Sequence, residues 1–154
     1  PALDLAQDDW NAMREIHLDA AFLLAQAAAR RWSDTGRTGK IVLVASILSF
    51  FGGRNAVAYA AAKSGIAGLT RALAAEWAPL GIGVNALAPG WCATDLTAAL
   101  RADPDREGAI RARIPVGRWG DPDDLAGAAV FLASPASDYV HGVVLPVDGG
   151  YKIA

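Results

Sequence analysis

The stretch from Ile41 to Lys63 constrains the fold more than any other part of this sequence. It opens with the apolar run IVLVA, which ends at Ser46 and is apolar on both faces, as in a buried strand of a parallel sheet. A loop with two adjacent glycines follows, and the spacing then becomes helical around Tyr59 and Lys63. A buried strand that leads into a long helix is typical of a parallel α/β fold, so we predict that class.

Three side chains of this stretch form a candidate proton-transfer site. Tyr59 and Lys63 are four residues apart, which places them one turn apart on the same face of a helix. Ser46 stands at the carboxyl end of the predicted strand. An ammonium favours the ionised form of a neighbouring phenol, and a serine hydroxyl can hold a substrate oxygen while the phenol exchanges a proton. The alternative interpretation is a polar helix start with a lysine that faces solvent.

The composition fits one ordinary soluble domain and disfavours several classes of function. The chain has 154 residues, 53% of them hydrophobic and 19% charged, with a net charge of −2. We therefore expect no nucleic-acid partner, and no apolar run reaches the roughly 20 residues of a membrane span. The N-terminal sequence is unlike a signal peptide. The single cysteine, Cys92, excludes an internal disulfide and suits a cytoplasmic location, and the histidines suggest no metal site.

These motifs resemble those of the short-chain dehydrogenase/reductase family. Besides Ser46, Tyr59 and Lys63, the chain contains VNALAPGWCAT after the long helix and LPVDGG near its end. The segments RRWSDTGRTGKIVLVAS and IPVGRWGDPDDLAGAAVFLASPASDYVHG are most similar to the sugar-acid branch typified by 2-deoxy-D-gluconate 3-dehydrogenase. The resemblance covers essentially all of the chain.

The resemblance implies an oxidoreductase that interconverts a secondary alcohol and a ketone by hydride transfer, with a small-molecule substrate that is a sugar or sugar acid. In the family, the tyrosine corresponding to Tyr59 is the general acid/base. The lysine, here Lys63, favours ionisation of the tyrosine and binds the nicotinamide ribose, while the serine, here Ser46, orients the substrate.

A second motif is implied to seat the cofactor, which is NAD or NADP, with NAD favoured. In the family, the turn corresponding to Pro89 and Gly90, together with the threonine at Thr94, holds the nicotinamide carboxamide. The glycine-rich turn that binds the pyrophosphate of a dinucleotide is absent from the sequence. We therefore expect a three-layer, Rossmann-like, doubly wound parallel sheet whose N-terminal βαβ units are absent. Residues 1–154 would then be the C-terminal portion of one domain.

Two rival functions stay open at this point. A chain without the phosphate-binding part can be a catalytically incomplete fragment that acts only as an oligomerisation or interaction module. A keto-acyl reductase of the same family would share most of the motifs. We expect the isolated chain to be inactive and to have an unpaired sheet edge at the strand beginning with Ile41.

Two long helices are predicted, over residues 8–32 and 58–78. The resemblance implies that both pack against their symmetry mates, in a homo-oligomer that is a dimer or a tetramer. Gly65 and Gly68 of the second helix suggest a close backbone approach to another element, because glycine costs about 1 kcal/mol relative to alanine inside a helix.

His17 stands on the first helix, where the family has an asparagine that supports a water-mediated proton path to the lysine. One interpretation is a helix residue satisfied by a local carbonyl, which we prefer. The other is a compensating role in the proton path.

Candidate substrate contacts follow both motifs. Leu48 and Arg54 lie in the loop after the serine, and Trp91 follows the turn at the end of the next strand. Arg54 either pairs with a substrate carboxylate or is an ordinary exposed loop arginine. Residues 91–113 are predicted to form a helical lid, broken at Asp103, that closes over the substrate.

Overall fold

A computed structural model describes all 154 residues and shows a parallel three-stranded sheet flanked by helices. The strands are Gly39–Val44 (β1), Ile82–Pro89 (β2) and Val144–Val147 (β3). The α-helices are Gln7–Arg14 (α1), Ala20–Asp34 (α2), Val57–Trp77 (α3), Ala98–Arg101 (α4), Pro104–Arg111 (α5) and Asp123–Ala133 (α6). The predicted Rossmann-like α/β class is confirmed.

β2 is the centre of the sheet. It pairs in parallel with β1 on one side and β3 on the other, and the alternate residues Ile82, Val84, Ala86 and Ala88 are fully buried. The core that these residues form with α2 and α3 covers one face of the sheet, while α6 contacts all three strands. β1 pairs with β2 only, so its other edge is unpaired, as predicted. The carboxyl ends of β1 and β2 therefore lie side by side, where ligands bind in such sheets.

The first predicted helix is interrupted by a π-helical turn at Glu15–Asp19, between α1 and α2. This turn packs against α3, and Gly65 makes the close approach possible. A Cβ built on Gly65 would lie 2.9 Å from the Cδ2 atom of Leu18. Gly68, by contrast, faces open space. The expected close approach is thus confirmed for Gly65 within the chain.

The segment after β2 forms the predicted lid in several short pieces. A 3₁₀ turn at Asp95–Thr97 is followed by α4 and α5. The break falls at Asp103, as predicted, because its carboxylate caps α5 by accepting hydrogen bonds from two backbone N–H groups, and Pro104 then opens the helix. No helix of the structure combines the length and apolar character needed to cross a bilayer.

Candidate active site

Ser46 is held at the carboxyl end of β1. Its side chain is buried, and Oγ accepts a hydrogen bond from the backbone N–H of Leu48 at 3.1 Å, at the start of the 3₁₀ turn Ile47–Ser49. A hydroxyl that accepts one hydrogen bond still has its own proton to donate. The local turn therefore fixes the position of the Ser46 oxygen and leaves its donor free.

Ser49 ties this turn to α3, and sequence analysis missed it. Its Oγ accepts a hydrogen bond from the backbone N–H of Ser46 at 3.2 Å and donates one to the carbonyl oxygen of Lys63 at 2.6 Å. The two serines are spaced as in a capping box, which is the sequence signal that could have revealed this contact. The Ser49 hydroxyl thus fixes the position of the end of β1 relative to α3.

Lys63 is buried rather than exposed to solvent, so the alternative interpretation of a solvent lysine is wrong. Its Nζ donates a hydrogen bond to the carbonyl oxygen of Val44 at 2.7 Å, and no carboxylate lies within ion-pair distance. Burial lowers the pKa of the Lys63 ammonium. Nζ lies 5.7 Å from the centroid of the Tyr59 ring. The structure therefore brings the predicted phenol and ammonium together.

His17 contacts Tyr59 directly. The two rings meet edge to face, with centroids 5.2 Å apart and an angle of 83° between their planes. The preferred interpretation of a histidine satisfied by a local carbonyl is wrong, because the ring makes no hydrogen bond and lies in the π-helical turn that packs on α3. Burial, and then the charge of Lys63, lower the pKa of His17. This ring therefore favours its neutral form beside the phenol.

A cleft of about 570 Å³ joins most of the predicted site residues. They are Ser46, Tyr59, His17, Leu48, Gly90 and Trp91, and the lid adds Leu96, Thr97 and Leu100 to the wall. Lys63 lines a neighbouring groove of about 460 Å³, which His17 also lines. Arg54 is exposed on the loop and is not among the residues around the cleft.

The turn after β2 takes its shape from the residues that pack against it. A Cβ on Gly90 would lie 2.6 Å from the Cα atom of Asp148, so only glycine fits against the segment after β3. Four residues later, the backbone N–H of Thr94 donates to Oγ1 of Thr97, which in turn donates to the carbonyl oxygen of Cys92 at 2.7 Å. Pro89 ends β2 beside this turn, outside the cleft wall.

The comparison with known protein families agrees with this geometry. A family model described as "Enoyl-(Acyl carrier protein) reductase" matches residues 1–152. The chain belongs to the short-chain dehydrogenase/reductase family. The predicted resemblance is therefore confirmed over almost the full sequence.

The chain is also similar to relatives and solved structures that are named as dehydrogenases. It is 49% identical over 150 residues to a 2-dehydro-3-deoxy-D-gluconate 5-dehydrogenase from Escherichia coli, covering 97% of this chain and 59% of that protein. A gluconate 5-dehydrogenase from Burkholderia cenocepacia, solved in complex with NADP and tartrate, is 43% identical with a TM-score of 0.96, and the match covers 100% of this chain and 60% of that one.

A more distant solved structure, a 4-hydroxyisoleucine dehydrogenase complexed with NADH, is 28% identical with a TM-score of 0.97, and the match covers 100% of this chain and 63% of that one. The chain thus spans about 60% of the length of these proteins.

Proposed function

We propose that this chain carries the proton-transfer and substrate-binding part of an NAD(P)-dependent dehydrogenase that interconverts a secondary alcohol and a ketone, with a sugar acid as substrate. The observation that supports it most is the shared cleft of Ser46 and Tyr59 with the Lys63 ammonium behind the phenol. The names of the relatives support the substrate class, since the E. coli and B. cenocepacia proteins are both named for gluconate derivatives.

The mechanism assigns one task to each of the three side chains. Ser46 donates a hydrogen bond to the substrate oxygen, because its Oγ is fixed by the backbone of Leu48 and its proton is free. Tyr59 takes the hydroxyl proton of the alcohol, or returns it to the ketone in the reverse direction. Lys63 stabilises the phenolate through its charge, held in place by the bond to Val44.

The cofactor of this reaction is a nicotinamide dinucleotide, which accepts or supplies the hydride. The chain offers a donor set that fits its nicotinamide end. One N–H of the Lys63 ammonium is used by Val44, so two remain for ribose hydroxyls. Pro89, Gly90 and Thr94 follow the carboxyl end of β2, where open parallel sheets bind ligands. The preference for NAD stays a prediction, since the solved neighbours include both NADP and NADH complexes.

The substrate wall in this proposal is formed by Leu48 and Trp91 with the lid residues opposite them. The expected contact between Arg54 and a substrate carboxylate requires the loop to fold inwards, because the side chain now lies outside the cleft. If that movement occurs, Arg54→Ala should weaken binding of a sugar acid, which carries a carboxylate, more than binding of the neutral sugar. If it does not occur, the variant should affect the two substrates alike.

The experiment compares two tyrosine variants in the complete protein. Tyr59→Phe should lower turnover of a sugar-acid substrate by about 10² to 10⁴, the usual contribution of a general acid/base. Tyr139→Phe is the matched control, because Tyr139 is fully exposed and makes no side-chain hydrogen bond. Half of the parent rate in Tyr59→Phe would contradict the assignment. Turnover of keto-acyl thioesters instead of sugar acids would favour the keto-acyl reductase, and no turnover at all would favour the interaction module.

We also propose a homo-oligomer, formed through the π-containing first helix and α3. Large apolar side chains of both helices support it, because Leu23 is 59% exposed and Phe22 and Leu69 are only partly buried. Beside them a groove of about 530 Å³ is lined mainly by apolar residues, and Gly68 of α3 leaves open space for another backbone. Sedimentation of the protein, with Leu23→Glu as the disrupting variant, tests this assembly.

A further inference from the structure

The lid forms one wall of the substrate cleft, and its near end is firmly attached. Leu96 and Leu100 line the cleft. The bond from Thr97 to the carbonyl oxygen of Cys92 and one from Arg101 to the carbonyl oxygen of Thr94, at 3.2 Å, hold the start of the lid to the turn after β2. The far end of the lid, at α5, is held by different contacts.

Trp91 and Trp119 make a rigid platform next to this far end. The backbone N–H of Gly120 donates to the carbonyl oxygen of Trp91 at 2.9 Å, and the N–H of Ala93 donates back to Gly120 at 2.8 Å. The two indole rings meet edge to face with centroids 5.7 Å apart. Because Trp91 also lines the cleft, this platform connects the cleft to the loop that precedes α6.

Glu107 of α5 reaches this platform. Its Oε1 accepts a hydrogen bond from the indole N–H of Trp119 at 3.2 Å and one from Nε of Arg111 at 2.9 Å. The bond to Trp119 is the single hydrogen bond between a side chain of α5 and another element of the fold. The Glu107 side chain is 27% exposed, so most of it is covered by its neighbours.

We propose that Glu107 is a positioning residue that latches the far end of the lid to the tryptophan platform and so sets the wall of the substrate cleft. The only other packing that α5 brings to this region is apolar, through Ile110 against the cluster of Ile47, Ile114 and Tyr151. Such packing lacks direction, whereas a hydrogen bond to a charged acceptor is directional and about twice as strong as a neutral one. The kinetic part of this proposal rests on the proposed function.

The test uses four variants that separate the two partners of Glu107. Glu107→Ala removes both bonds, and Trp119→Phe keeps an aromatic ring, though a smaller one, and loses the donor. Arg111→Ala removes only the ion pair, and Glu107→Gln keeps an acceptor oxygen for the indole. Hydrogen exchange of the backbone amides of residues 98–111 reports the lid, and the amides of β1 and β2 report global stability. Kinetics in the complete protein with its cofactor report the cleft.

We expect Glu107→Ala and Trp119→Phe to speed exchange in the lid by about tenfold, the equivalent of one net hydrogen bond to a charged group, with the β1 and β2 amides unchanged. The same two variants should raise KM for the substrate by a similar factor and change kcat less. Arg111→Ala should stay within about twofold of the parent in both readouts, and Glu107→Gln, which keeps only a neutral acceptor, should fall between the parent and Glu107→Ala.

Unchanged lid exchange in Glu107→Ala and Trp119→Phe would overturn the latch. Equal effects in Arg111→Ala would overturn it as well, because the ion pair would then be responsible. Faster exchange without a change in KM would overturn the link to the cleft. Hydrogen exchange needs no turnover, so failure of the proposed function is seen separately, as absence of activity in the parent protein.

Discussion

Replacing Lys63 with methionine separates what this residue does for chemistry from what it does for folding. Methionine keeps an unbranched apolar chain of similar length in the buried position but has no charge. The ammonium lies 5.7 Å from the centroid of the Tyr59 ring. At an effective dielectric constant of about 20, opposite unit charges at that separation attract by about 3 kcal/mol. If the phenolate forms during proton transfer, Lys63→Met should lower kcat about a hundredfold.

Stability should respond differently, because the burial of Lys63 is costly. Burial lowers the pKa of Lys63 below its ordinary value of 10.5, so the folded protein disfavours the protonated form. This destabilisation is fully present below the folded pKa and disappears as the pH rises towards 10.5. The variant removes that cost and also the bond to Val44.

We therefore expect the free energy of unfolding of Lys63→Met to lie within about 2 kcal/mol of that of the parent at pH 7. The loss of a charged hydrogen bond destabilises the variant, and the removal of a buried charge stabilises it. As the pH rises from 7 towards 10.5, the parent should gain stability relative to the variant. Denaturant unfolding across this range, together with steady-state kinetics at saturating cofactor, measures both effects. A variant that keeps a tenth or more of the parent kcat would refute the electrostatic argument. A parent that loses stability relative to the variant as the pH rises would refute the burial argument.

Three further substitutions test the surroundings of the site. Ser49→Ala removes two hydrogen bonds and should lower the free energy of unfolding by about 1 to 3 kcal/mol in a denaturant titration, whereas Ser64→Ala, which loses only a 3.4 Å contact, should have little effect. His17→Asn should lower kcat by no more than about tenfold, the worth of an edge contact between rings. Burial lowers the pKa of His17, so a proton relay would instead show as a kinetic titration below the ordinary value of 6.5 that the mutation abolishes. Gly90→Ala should destabilise the folded protein by about 1 to 3 kcal/mol in thermal unfolding, because its Cβ meets the backbone of Asp148. An unchanged melting temperature would show that the turn can shift to make room for the methyl group.

Local patterns in the sequence were sufficient to place Ser46, Tyr59 and Lys63 and to predict the elements that carry them. The spacing of four residues between Tyr59 and Lys63 places them on one helix face whatever the rest of the fold does, and α3 runs from Val57 to Trp77, within one residue of the prediction. Ser46 follows an apolar run typical of a strand, so its place at the strand end was readable as well, although β1 is an edge strand that is mostly half-buried and not the buried strand predicted. These features depend on residues that are near each other along the chain.

Contacts between distant segments were decided by the tertiary structure alone. His17 meets Tyr59 because a π-helical turn of the first helix packs on α3, and no hydrophobic period reports such a turn. Glu107 meets Trp119 because the lid folds back over the platform beside β2. Arg54 has the charge to bind a substrate carboxylate, yet the conformation of its loop leaves the side chain outside the cleft. In each case the side chain's partner depends on how two elements pack, and packing is set by the shapes of surfaces that the linear order of residues does not record.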